Sequence, residues 1–416
     1  MSEMPRDESP DGTLALVQEG YDFIRNRCRE YDTDVFRTRL MLKETICMRG
    51  EEAARLFYDT ERFKREGAAP SLAQKTLFGE GGVQGLDGEP HRHRKAMFMS
   101  LMTPESIERF ADLVTERWRA YLGRWKEQEE VVLFEESSRL VTEAVCAWSG
   151  VPLPEEEVER RTEELLALIE GAASVGYRQW RGRRARSRSE DWLSDLVEQV
   201  RAGTLDAPEG SALRTVAEHR ELDGELLEPR IAAVEMNNVL RPTVAVARWI
   251  TFAALALHEY PEHRERLRGA DDEAVERFVQ EVRRFYPFFP FVGAIVRHDF
   301  EWSGYQFPEG TRVLLDLYGT DHHPDLWRDP DGFDPDRFHE WDGSAYNFIP
   351  QGGGDHHVNH RCPGEWISIA ILKRCVRQLV EGMEYEVPQQ DLAIEMSDMP
   401  TLPESGFIMR NVRRVR

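Results

Sequence analysis

Basic residues are in short supply. Against 76 Asp and Glu stand only 54 Lys and Arg, a formal net charge of −22 over 416 residues. That balance repels polyanions and argues against nucleic acid or an anionic bilayer as the main partner. It also means that an anionic small molecule needs a local cation to be held. Cysteine is scarce: five residues, an odd number, lie widely spread at 28, 47, 146, 362 and 375. They do not form a disulfide framework, and a reducing cytoplasm is the expected compartment. No apolar run of about 18 residues is evident, so no membrane span is expected. The first dozen residues are polar, with acids and two prolines, and do not read as a secretory signal. They are expected to be flexible. Repeats, low-complexity linkers and composition shifts are missing too. Although the length exceeds that of a usual single domain, residues 1–416 therefore read as one large domain.

What is present suits a folded protein: 41% apolar and 31% charged residues. Apolar residues recur at three- and four-residue spacing over 52–65, 104–127, 154–171, 190–202, 230–258, 272–285 and 364–382, which predicts helices. Strand-like runs are short, at Val292–Val296, Arg312–Leu317 and Gly406–Val412. The chain is expected to be mainly α with small β-sheets. Between Pro229 and Pro261 the pattern reads as one helix of some thirty residues, roughly 45 Å long. In its middle Arg241 sits among Val239, Leu240 and Val244, and Pro242 follows. A proline there removes a hydrogen bond and forces a kink. The site is either a bent core helix with one snorkelling arginine or a helix opened beside a ligand pocket. Arg178–Arg188 (RQWRGRRARSR) is the most basic stretch. It reads as a solvated face, with a docking surface for an anionic ligand or a partner as the other reading.

The strongest local signal is Phe348–Trp366, FIPQGGGDHHVNHRCPGEW. Three consecutive glycines, Gly352 to Gly354, permit close approach to a flat partner. Cys362 is followed by Pro363 at a first helical position. A cysteine at a helix start has its thiolate stabilised by free N–H groups and the helix dipole, and the thiolate is the metal-ligating form. Two other readings of the same loop exist. His356, His357, His360 and Cys362 could be taken for a zinc site, but the spacing matches no common zinc pattern. Standing alone, the loop would hold an inert buried thiol.

The loop does not stand alone, and here the sequence resembles the cytochrome P450 superfamily. The segment ending Cys362-Pro363-Gly364 resembles that family's haem-binding signature. Glu281 and Arg284 in EVRRFYP resemble its Glu-x-x-Arg pair, and Arg337 in FDPDRF the arginine that completes this ion cluster. His91 and Lys95 in HRHRK fall where the family binds haem propionates. The resemblance implies a triangular, helix-rich fold with haem b between a long kinked helix and the cysteine loop. It implies Cys362 as the iron ligand and His91, Lys95, Gln351 and Gly352 as further haem contacts.

Ordinary members carry an acid followed by threonine in the middle of the long helix. Here the stretch reads NNVLRPTVAVA, with no acid before Thr243. That departure resembles the bacterial fatty-acid peroxygenases. So do TLFGEGGVQGLDG (76–88), RKAMFMSLMTP (94–104), NVLRP (238–242), EVRRFYPFFP (281–290) and QGGGDHHVNHRCPGEW (351–366). The physical chemistry agrees. An arginine in an apolar pocket needs a counter-charge, and a fatty-acid carboxylate supplies one through a two-pronged salt bridge. Held by Arg241, that carboxylate could serve as general base and acid towards hydrogen peroxide. Anchoring the head group places the C2 and C3 hydrogens nearest the oxidant. The resemblance implies further site residues: Pro242 next to Arg241, Gln84 facing the haem pocket, and Leu77, Phe78, Phe288 and Phe291 along an acyl channel. Core packing is the competing reading for each of these four. Glutamine at 84 leans towards hydroxylation, since decarboxylating members tend to carry histidine there. The expected activity is thus peroxide-driven hydroxylation of long-chain fatty acids at C2 or C3, without a redox partner. Decarboxylation to a terminal alkene, an O₂- and reductase-dependent monooxygenase, and a non-catalytic haem-thiolate sensor are the alternatives.

Overall fold

A computed structural model of the chain describes residues 3–172 and 176–415. Helices dominate. Two of them, Pro104–Trp125 and Leu133–Ser149, build much of the core. On the first, Phe110, Val114, Trp118, Tyr121, Leu122 and Trp125 are buried, at the three- and four-residue spacing of one helical stripe. Its N-terminus is fixed by Thr103, whose side chain accepts from Ser106 N–H, with Pro104 just inside. The helix Leu133–Ser149 falls outside the stretches that periodicity predicted, although eleven of its residues are buried. Four of the eleven, Ser137, Ser138, Thr142 and Ser149, are polar, so apolar spacing alone understates its inward face.

Among the described residues, three small sheets flank the helices. In the largest the strand order is Val35–Leu40, Lys43–Met48, Arg312–Asp316, Phe291–Val296, Phe63–Lys64. The pairing of Lys43–Met48 with Arg312–Asp316 is parallel, and the other three pairings are antiparallel. A second sheet joins Glu130–Val132, Ile408–Arg414 and Met383–Glu386, and a third is a short hairpin.

The predicted single long helix is two: Pro229–Ala245 and Ala247–Glu259. The interruption lies at Val246, four residues after Pro242. There the Val246 N–H bonds to Thr243 C=O, a tighter three-residue closure. Thr243 turns its hydroxyl back to Val239 C=O at 2.8 Å, which keeps that side chain occupied within its own helix. The combined stretch Pro229–Glu259 is long and apolar enough to cross a bilayer, contrary to the expectation of no such segment, but 94% of its most apolar window is buried inside the fold. Its apolar residues therefore face protein.

Other expectations change. The predicted helix over 52–65 ends at Phe57, and Phe63–Lys64 is a strand. The predicted helix over 190–202 begins at Tyr177 and so contains the arginine-rich stretch. Along most of that stretch the arginines are exposed, but Arg186 is buried. Here two helices touch through glycine: a Cβ on Gly182 would lie 2.8 Å from Ala167 O and 3.2 Å from Gly171 Cα. Residues 3–12, expected to be flexible, are docked. Met4 is buried, Arg37 N–H donates to Pro5 C=O, and Asp7 N–H donates to Arg37 C=O.

Candidate haem and substrate site

The cysteine loop is held from both ends. Ile349 N–H donates to Asp321 Oδ1 at 2.8 Å, and Cys362 N–H donates to Gln351 C=O at 3.0 Å. Gly352 and Gly354 have φ of +89° and +81°, left-handed values that favour glycine. A Cβ on Gly353 would meet Ala345 O at 2.7 Å, so the loop is as closely packed as its glycines allow. Cys362 stands just before the helix Glu365–Arg377. Burial pushes its thiol pKa up, while Lys95 and the Gly364 N–H pull the other way. Gln351 Nε2 reaches Cys362 Sγ at 3.6 Å and Ser368 Oγ at 3.2 Å. The histidines of the loop diverge. His356 bonds Glu365 at 2.9 Å, His360 stacks on His91 with ring centroids 3.8 Å apart, and His357 is exposed.

Behind the loop lies an ion cluster that sequence reading missed. Arg283 is buried and donates to Gln351 Oε1 at 3.0 Å and Glu365 Oε1 at 2.5 Å. Glu365 also accepts from Arg361 at 2.7 Å. Burial alone would raise the Glu365 pKa, but Arg283, His356 and Arg361 hold it well below the usual carboxylate range. Gln351 thus links a buried guanidinium to the cysteine sulfur. The signal was present in EVRR, where two adjacent arginines occur and only the second was assigned a role.

That second arginine, Arg284, grips Glu281 with two bonds of 2.7 and 2.8 Å, and Arg337 reaches Glu281 at 3.2 Å. Spare donors of Arg284 go to the carbonyls of Asp321, Pro330 and Gly332. Glu281 and Arg284 are completely buried. The cluster therefore ties the helix Asp272–Phe285 to the segment 329–337.

Arg241 is 6% exposed, and among the described residues its Nη1 has no hydrogen-bond partner. Burial, then the like charge of Arg186, lowers its pKa to about 9, against the pull of Cys362 and Glu235. One turn earlier, Asn238 Nδ2 donates to Gln84 Oε1 at 3.1 Å and to Glu235 Oε2 at 2.8 Å. Glu235 is fully buried and also accepts from Val83 N–H at 2.9 Å and Arg94 at 2.6 Å. Glu235 and Arg94, neither singled out from sequence, thus fasten the 82–95 region to the long helix, where Gln84 meets Asn238 one turn before Arg241. Leu77, Phe78 and Phe288 share one apolar cluster with Ile169 and Ala245. Phe291 does not join it and packs instead with Phe23, Phe36 and Leu314.

Two buried cations and two buried imidazoles gather near the cysteine. Lys95 is 3% exposed and donates to the carbonyls of Asn359, at 3.1 Å, and Arg361. Burial lowers the pKa of Lys95 to about 8, of Arg65 to about 10 and of His91 to about 4. His360 is driven down by burial and then by Arg65 and His91. Among the described residues, none of Arg65, His91, Lys95 and His360 has a carboxylate within ion-pair distance. Such a set suits a doubly anionic, planar group with a soft metal centre, because it offers two cations without carboxylates, Arg65 and Lys95, two neutral imidazoles, a glycine cradle and one thiol. Haem with its two propionates meets that description.

These features define a haem-thiolate protein. A family model described as Cytochrome P450 matches residues 252–410. Among solved structures, cytochrome P450SP alpha (CYP152B1) in complex with (R)-ibuprophen is 51% identical, with a TM-score of 0.96, covering 97% of this chain and 99% of that one. Cytochrome P450EX alpha (CYP152N1) with myristic acid is 46% identical, with a TM-score of 0.96 and all of both chains covered. Ligand-free cytochrome P450 OleT is 36% identical, with a TM-score of 0.97 and 99% of each chain covered. The chain belongs to the cytochrome P450 family. Within it, the chain falls in the CYP152 branch, that of the fatty-acid peroxygenases.

Proposed function

We propose that this chain is a haem-thiolate peroxygenase that uses hydrogen peroxide to hydroxylate long-chain fatty acids at C2 or C3, in the cytoplasm and without a redox partner or nucleic acid. The observation that carries the reading is Arg241, a buried guanidinium in mid-helix with an unpaired Nη1. Such a charge calls for a counter-charge, and a carboxylate matches its planar donors. The relatives' bound molecules support the class, since (R)-ibuprophen and myristic acid are both carboxylic acids.

In this reading Cys362 would hold the iron, and Arg65, His91, Lys95 and His360 would hold the propionates, the first and third as cations and the histidines as hydrogen-bond donors. Thiolate-ligated haem, when bound, supplies electron density that favours cleavage of the peroxide O–O bond. Gln351 steadies the sulfur, and Arg283 steadies Gln351. Arg241 orients the substrate carboxylate, which can take a proton from peroxide and return it to the departing oxygen. Pro242 and Gln84 flank that head group. Leu77, Phe78 and Phe288 keep the acyl chain out of water, and Glu281, Arg284 and Arg337 brace the fold behind the haem.

The test is turnover of palmitic acid by purified holoenzyme with hydrogen peroxide as the sole oxidant and products identified by mass spectrometry. The expected product is 2- or 3-hydroxypalmitate. A terminal alkene would make the enzyme a decarboxylase. No product from a sample with the haem-thiolate spectrum would overturn the peroxygenase reading.

A further inference from the structure

Arg241 has a counterpart. Arg248 lies seven residues further along, beyond the interruption at Val246, about 10 Å on along the axis. It is 2% exposed, and among the described residues neither its Nε nor its Nη1 has a hydrogen-bond partner. The ring of Phe134 lies 5.1 Å from its Cζ. Glu170 and Tyr21 act on it electrostatically, but both are engaged elsewhere. The Glu170 carboxylate accepts from Arg181, and the Tyr21 hydroxyl donates to Phe288 C=O at 2.9 Å. Beside Tyr21 is Thr401, 2% exposed, whose Oγ1 also lacks a partner. A buried cation with free donors and a buried free hydroxyl thus flank one tyrosine.

This polar spot borders the apolar cluster. Ala245, one turn before Arg248, belongs to the cluster of Leu77, Ile169 and Phe288. Trp249, the residue after Arg248, stacks on Phe288 with ring centroids 3.7 Å apart. Tyr21 holds the backbone of the same phenylalanine. Arg248 thus adjoins in sequence a cluster member, Ala245, and a residue, Trp249, that packs on another, Phe288.

We propose that Arg248 is a second carboxylate anchor, and that the chain accepts α,ω-dicarboxylic acids with one carboxylate on Arg241 and the other on Arg248, assisted by Thr401. A guanidinium without a counter-charge is costly to bury, and a terminal carboxylate at the end of an acyl chain offsets that cost with charge-assisted hydrogen bonds. This inference rests on the fatty-acid reading of Arg241. It goes further in naming a substrate class and a second site.

The test compares peroxide-driven kcat/KM for dodecanedioic against lauric acid, and hexadecanedioic against palmitic acid, in wild-type holoenzyme, Arg248→Met and Arg248→Lys. Thermal melts are recorded with each acid and with sodium chloride. For at least one chain length, Arg248→Met is expected to lower the ratio of dicarboxylate to monocarboxylate kcat/KM by about tenfold or more, the loss of one charge-assisted bond. The lysine variant should fall between, and it replaces the methionine variant if the latter does not fold. The dicarboxylate should raise the wild-type Tm more than that of the variant. An equal loss on both acid types would overturn the proposal, as would wild-type enzyme that oxidises the monocarboxylates and rejects every dicarboxylate. Arg248-dependent stabilisation by chloride alone would assign the spot to an inorganic anion and overturn it too. If no acid of either type is oxidised, the peroxygenase reading fails, and the melts still decide whether Arg248 binds a dicarboxylate.

Discussion

At the scale of single residues, Arg241 joins a thermodynamic cost to a chemical use. In the free protein its guanidinium is buried with an unpaired Nη1. Arg241→Ala should therefore stabilise the ligand-free holoenzyme, by about 1–3 kcal/mol, because it removes an unsatisfied buried group. The same change should lower kcat/KM for palmitic acid by about a hundredfold or more, since it removes the substrate's buried ionic partner. Thermal melts and peroxide-driven kinetics on one preparation check both effects, with the haem spectrum retained. A variant that is fully active, or strongly destabilised, would contradict this account. Arg241 was legible in sequence because a charge inside an apolar run stands out. Arg248 was not, although it lies in the same run. Neither its lack of partners nor its nearness to Phe288 through Tyr21 and Trp249 can be read from neighbours in the chain.

Among the elements, the helix Asp272–Phe285 carries the ionic bracing behind the cysteine loop, with Glu281 between Arg284 and Arg337 and with Arg283 facing Glu365. Glu281→Ala would leave two arginines without their carboxylate. The expected loss is about 3–5 kcal/mol, the usual effect of removing one partner from a buried pair. Chemical denaturation of the holoenzyme measures it, and Glu281→Gln should lose less because it keeps an acceptor. A loss below about 1 kcal/mol would mean that the backbone carbonyls around Arg284 suffice. This helix was legible because its buried Val275, Phe278, Val279 and Val282 alternate with charges at helical spacing. The helix Tyr177–Arg201 was legible only in its second half. Its inward residues over the first half are Gly182, Ala185, Arg186, Ser189 and Glu190, so no apolar stripe announces it. Arg186 donates there to the carbonyls of Thr76 and Leu77. The cysteine loop was legible for a different reason, its run of glycines, a proline and one thiol. The ring of Arg65, His91, Lys95 and His360 was only half legible, because Arg65 and His360 join it through the fold.

Across the whole molecule, buried titratable groups oppose one another. His322 is 2% exposed, and burial, then Arg284, holds its pKa well below 6.5. Its unfolded form binds a proton that the folded form refuses. Its contribution is therefore intact above pH 6.5 and is lost as pH falls below it. Asp316, raised by burial to about 7 from 3.8, works in the other sense and loses its contribution as pH rises through that window. The net profile hides each, so the test is a variant. His322→Asn should narrow its stability deficit against wild type below pH 6.5, by about 1.4 kcal/mol per pH unit. A deficit independent of pH would show that His322 titrates normally.

The length and apolarity of Pro229–Glu259 bear on the birth of the chain as well as on its fold. Leaving the ribosome before its surroundings exist, this stretch presents an insertion machinery with something close to a membrane anchor. Arg241 and Arg248, with Glu235, mark it otherwise. A charged residue near the centre of a candidate span costs about 3 kcal/mol on insertion. The two arginines proposed to grip a substrate would then also steer the nascent chain away from the bilayer. Replacing both with apolar residues would alter where the polypeptide goes as well as what it oxidises.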